Sequence, residues 1–80
     1  TNKKINMNTD YNYLIGFINT EIYNHKTIPD YWGTEENNHN ESLIFNYALD
    51  LDIVNQDWFD ERLKYTNVEL LEELLTKLNK

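Results

Sequence analysis

From Thr9 onward the apolar residues Tyr11, Leu14, Ile15, Ile18 and Ile22 recur with the spacing of a helix, and Thr9 or Asp10 is placed to cap the first turn. The pattern predicts a first helix from Thr9 to about Asn24. Gly16 inside it costs about 1 kcal/mol against Ala, which suggests the close approach of another segment at that position. Residues 1–8, with only Ile5 and Met7 apolar, read as a frayed polar arm.

The periodicity stops between His25 and Asn40, a stretch that holds the only Pro (Pro29), the second Gly (Gly33) and the polar run Thr34 to Asn40. It reads as a long connection. Tyr31 and Trp32 lie between the two breakers. Large aromatics so placed tend to fold back as a lid on the core, while any that stays exposed is a candidate binding anchor.

Asn40 can cap a second helix, whose stripe is Leu43, Ile44, Tyr47, Ala48 and Leu51. Leu49, Leu51 and Ile53 also alternate with Asp50 and Asp52, the period of a half-buried strand, so a short extended segment near 50–54 is an alternative there. Asn55 can cap a third helix containing Trp58, Phe59 and Leu63. Thr66-Asn67-Val68-Glu69 matches a capping box and opens a fourth, with Leu70, Leu71, Leu74, Leu75 and Leu78 on a face wide enough for a central core element. These elements predict a mainly α fold, a compact bundle of about four short helices in one domain covering 1–80, with a long aromatic-containing loop after the first helix.

Composition adds a size limit and a charge. A chain of 80 residues buries roughly 60% of its unfolded surface and has an expected stability of about 4–12 kcal/mol. The absence of Cys removes disulfides, thiolate metal sites and thiol nucleophiles, and fits a cytoplasmic setting. No apolar run resembles a signal peptide or membrane span, so no membrane partner is expected. Thirteen asparagines with many Lys, Ile and Tyr suggest AT-rich coding, as in low-GC bacteria and their phages.

Fourteen acids against seven bases give a formal charge of −7, and nine of those acids follow Asn40. Asp57, Asp60 and Glu61 share a face at i, i+3, i+4 spacing, and so do Glu69, Glu72 and Glu73. Carboxylates one turn apart lie about 5 Å apart along a helix, so two such ridges can imitate a run of phosphates. Lys64 and Lys77, four residues after Asp60 and Glu73, are positioned to pair part of each ridge, as on an ordinary solvated face.

Catalytic and metal signatures are weak. Asp50, Asp52 and Glu61 occupy positions 1, 3 and 12 of a calcium loop, but Val54 at position 5, Asn55 at the required Gly and Asp57 at the apolar position break it. His25 and His39 can be drawn around a metal with Glu35, Glu36 or Glu41, without a recognised spacing. Adjacent solvent-facing acids such as Glu72 and Glu73 lack the burial that would separate their roles. With two glycines there is no phosphate loop, and the scattered bases disfavour direct nucleic-acid binding. No enzyme activity, no cofactor and no metal is expected.

The expectation is therefore a small acidic binding protein that blocks a basic surface of a partner, such as the nucleic-acid-binding site of a nuclease, as phage inhibitors and nucleic-acid mimics do. Asp57, Asp60, Glu61, Glu69, Glu72 and Glu73 supply the charge, and Tyr31 and Trp32 the exposed anchors. The alternatives are a toxin-neutralising immunity protein, or a helical scaffold, including a leucine-mediated homodimer, whose charge serves only solubility.

Overall fold

The stripe of α1 (Met7–Thr27) that faces inward changes character along its length: Leu14, Ile18 and Ile22 are apolar, whereas Glu21 and His25 at the C-terminal end are polar. In α2 (Glu35–Asp50) the order is reversed, with Asn37 and Glu41 preceding Ile44 and Ala48 at i, i+4, i+7 and i+11. Antiparallel packing brings like to like. Tyr47 near the end of α2 donates to Asp10 near the start of α1 at 2.9 Å, while Glu41 meets His25 at the other end. The computed structural model describes residues 7–79 and adds two further helices, α3 (Gln56–Asp60) and α4 (Asn67–Leu78), with no strand among the described residues.

α1 is the central element, packed on both α2 and α4. The core unites Leu14, Ile18 and Ile22 with Ile44 and Ala48, with Val54 and Trp58, and with Leu71, Leu74 and Leu78. Leu74 is fully buried, so truncating it to Ala should cost about 2–5 kcal/mol, a large part of the stability of so small a chain. The leucine face of α4 is thus used within the monomer's own core. No helix among the described residues is long and apolar enough to cross a membrane.

Several boundaries differ from the sequence reading. The arm predicted for 1–8 lies outside the described residues except at Met7 and Asn8, which are helical. α2 begins at Glu35 rather than after Asn40, because Thr34 is its N-cap and accepts from the Asn37 N–H at 3.1 Å. The connection correspondingly shortens to residues 28–34. Within it, Thr34 N–H donates to the Tyr31 carbonyl across a turn whose third residue, Gly33, has φ +87°, a conformation that favours glycine.

The segment 50–54 closes α2 instead of forming a strand. Ile53 N–H donates to the Ala48 carbonyl and Asp52 N–H to that of Leu49, the two bonds of a Schellman motif, with Asp52 at φ +60° in the position usually held by Gly. The alternation around Asp50 and Asp52 arises from this reversal, which returns Ile53 to the core. Asn55 caps α3 by accepting from Trp58 N–H, but the helix ends at Asp60 and leaves Leu63 82% exposed. Gly16 faces open space, so no neighbouring segment approaches it. At Thr66 both halves of the capping box are formed, with Glu69.

Candidate functional site

Two polar arrangements stand out, one on the surface and one buried. On the surface, Asp57, Asp60 and Glu61 lie along and just beyond α3, and Glu69, Glu72 and Glu73 along α4. Five of the six are exposed and Glu73 is half-buried. Arg62 links the two ridges: its guanidinium reaches Glu73 at 2.8 Å and Glu61 at 3.5 Å, donates to the Trp58 carbonyl and lies 4.7 Å from the centre of the Trp58 ring. The hydrogen bond from Arg62 holds the Glu73 carboxyl below its ordinary range, and the same bond raises Arg62.

The helical pairing expected of Lys64 with Asp60 does not form, because α3 ends at Asp60 and Lys64 is not one helical turn further on. Lys77 makes no contact of ion-pair length with Glu73. Among the described residues, Asp57, Asp60, Glu69 and Glu72 have no cationic partner. Asp60 accepts from Gln56, and Glu69 is engaged in the capping box.

The two aromatics proposed as anchors separate. Trp32 is 71% exposed, but Tyr31 is only 3% exposed and is not an available anchor. Its ring packs edge-on against His25 at 5.0 Å between centroids, and its hydroxyl donates to Glu21 Oε2 at 2.7 Å. Of the pair expected to form a lid on the core, only Tyr31 is buried, and it sits against Glu21 and His25 rather than in the apolar core cluster. Burial, followed by the bond to Glu21, raises the hydroxyl above its ordinary value and keeps it a donor.

Tyr31 covers the buried arrangement, which the sequence reading saw only in part. Glu21 is fully buried, Asn37 likewise, and Glu41 nearly so. His25, on α1 and not in an exposed loop, is 2.7 Å from Glu41 Oε2 through Nε2. Asn37 Nδ2 lies 2.9 Å from Glu21 Oε2, 2.7 Å from Glu41 Oε2 and 3.0 Å from His25 Nε2, while its Oδ1 accepts from Gly33 N–H. Asn40 donates to Glu21 Oε1 at 3.0 Å, and Asn67 at the start of α4 donates to Glu41 Oε1 at 2.6 Å. One ligand-type atom each from Glu21, His25 and Glu41 falls within 4.8 Å of the others, with Asn37 Nδ2 hydrogen-bonded among them.

His39, Glu35 and Glu36 are exposed and take no part in it. Glu21 and Asn37 carried a readable signal, since each is a polar residue at a core-facing position of its helix. The calcium-loop residues Asp50, Asp52 and Glu61 are all exposed, with Val54 buried between them.

A third feature is an apolar cleft between α1 and α2, lined by Tyr13, Phe17, Leu43, Asn46, Tyr47 and Asp50. Tyr13 and Tyr47 meet edge to face across it at 6.0 Å. No protein-family model, curated protein or solved structure matches the chain.

Proposed function

We propose that this is a small acidic binding protein that covers a basic, nucleic-acid-binding surface of a partner enzyme and so blocks it. The observation that carries the reading is the unneutralised charge at Asp57, Asp60, Glu69 and Glu72, four exposed carboxylates with no ion-pair partner among the described residues. An ordinary solubilising face would be expected to interleave both signs. Among the described residues Arg62 is the one Lys or Arg in an ion pair, and it is taken up by Glu61 and Glu73 between the ridges. Of Tyr31 and Trp32, Trp32 on the α1–α2 loop is the one exposed and available as an anchor. The rigid elements beneath the charge suit steered association, in which complementary potentials raise the encounter rate.

A second reading, an interaction module that docks through apolar contact, is favoured by the open Tyr13–Phe17–Leu43–Tyr47 cleft. Paired affinity captures separate the two: wild type, a variant carrying Asp57→Asn, Asp60→Asn, Glu69→Gln and Glu72→Gln, and a Tyr13→Ser variant. The acidic reading expects a basic nucleic-acid-handling protein in the first and third captures, inhibited by wild type in its own assay. The same partner retained by the four-site variant and lost from the Tyr13→Ser variant would reverse the assignment.

A further inference from the structure

We propose that the cleft between α1 and α2 binds a quaternary ammonium group, the cationic head of choline-type molecules. The proposal does not rest on the surface ridges, and it gives the cleft a small ligand where the second reading gives it a protein. It begins from the stripe beside the core-facing one on each helix. Tyr13 and Phe17 stand one turn apart on α1, each a residue before the buried Leu14 and Ile18; on α2, Leu43 and Tyr47 hold the same position beside Ile44 and Ala48. Antiparallel packing sets these two shoulders against each other.

The result is a cleft of about 270 Å³ whose lining comes from α1 and α2 alone. Tyr13 is 63% exposed and Leu43 is exposed as well, so neither α3 nor α4 covers them. Tyr13 stands between the other two rings: its centroid is 6.1 Å from that of Phe17, at 54°, and 6.0 Å from that of Tyr47, at 83°. Rings set at such angles wall a cage rather than a flat apolar strip. The face of each attracts a cation lying within about 6 Å of its centre.

The charge around the rings selects the sign of the ligand. Asp50 lines one end of the cleft, and Asp10 accepts from the Tyr47 hydroxyl at 2.9 Å. Neither carboxylate forms an ion pair among the described residues, and no Lys, Arg or His lines the cleft. The Asp10 bond, followed by burial, raises the Tyr47 hydroxyl above its ordinary value, so Tyr47 stays neutral and directed at Asp10. An anion would meet both carboxylates and the negative faces of the rings, and a neutral guest would leave that field unused.

Hydrogen-bonding capacity decides between kinds of cation. A primary ammonium carries three donors and a guanidinium five, all of which need acceptors once water is removed. The cleft has few to give. Tyr47 is turned to Asp10, the Asn46 amide donates to Ser42 at 3.4 Å, and Phe17 and Leu43 present only carbon, which leaves Asp50 at the rim as the charged acceptor. A quaternary ammonium needs no acceptor, spreads its charge over methyl groups and packs those methyls on the rings.

The test uses the full chain and choline, with the neutral tert-butyl isostere of choline, in which carbon replaces nitrogen, as the control. The choline methyl protons should shift upfield in NMR through the ring currents and saturate with a Kd of about 1 mM or tighter. The isostere should bind at least about tenfold more weakly. Tyr13→Leu, which keeps an apolar side chain at an exposed position, should abolish that preference, and Asp50→Asn should weaken choline about threefold at low salt, with folding of both checked by circular dichroism. The four-site surface variant should bind choline as wild type does. Phosphatidylcholine vesicles distinguish the source of the group: co-sedimentation that choline displaces assigns a lipid head group, and choline binding without co-sedimentation assigns a soluble compound. No saturable shift with wild type, an isostere bound as tightly as choline, a preference retained in Tyr13→Leu, an affinity untouched by Asp50→Asn, or binding lost in the surface variant would each overturn the site.

Discussion

The Tyr31 hydroxyl donates to Glu21 Oε2 at 2.7 Å across ten residues of chain, tying the loop after α1 to the inward face of that helix. A charged acceptor makes this one of the stronger bonds in the molecule, and its loss would leave a fully buried carboxylate short of a donor. Tyr31→Phe should cost about 1.5–3 kcal/mol in urea denaturation. Trp32→Ala, one residue on and largely exposed, should stay within about 0.5 kcal/mol. Equal effects would mean that the loop does not seat Tyr31 as described.

Gly16 lies on the solvent side of α1 with nothing within 4 Å of the position a Cβ would take. Its substitution therefore removes backbone freedom from the unfolded chain without a steric penalty. Gly16→Ala should stabilise the protein by about 0.5–1 kcal/mol, measured as an increased denaturation midpoint with an unchanged slope. A loss of stability would show that the position is crowded.

Glu73 and Arg62 set a pH dependence. The folded carboxyl lies below its ordinary value because of the Arg62 bond, so its contribution to stability is present above the unfolded pKa of about 4.3 and is lost as pH falls through the lower folded value. Stability measured from pH 6 downward should fall less steeply for Glu73→Gln than for wild type below about pH 4. Parallel curves would indicate that the pair exerts no linkage.

What the sequence disclosed, and what it hid, follows from the physics of particular residues. Thr66 and Glu69 signal α4 through local chemistry, and Asn55 does the same for α3, so both starts were legible. The strand alternative at 50–54 arose because Ile53 returns to the core through a helix-terminating motif, whose apolar contact mimics alternation over a few residues.

The start of α2 was hidden because its first turns bury Asn37 and Glu41 where a core helix ordinarily buries leucine. Polarity there reads as loop until the polar end of α1 is set beside it. For the same reason the surface ridges were visible in the sequence while most of the buried cluster was not. Spacing along one helix reveals a ridge, whereas the cluster draws on α1, α2, the loop and α4 together.

On the proposed reading the unpaired surface carboxylates bind a basic partner, and the salt dependence of that affinity reports it. For the captured partner, Kd for wild type should weaken at least about tenfold between about 50 and 500 mM NaCl, as the Debye length falls from about 14 to about 4 Å. The Asp57→Asn, Asp60→Asn, Glu69→Gln, Glu72→Gln variant should bind more weakly at low salt and vary little across the range. A wild-type affinity unchanged by salt, or equal to that of the variant throughout, would contradict the claim.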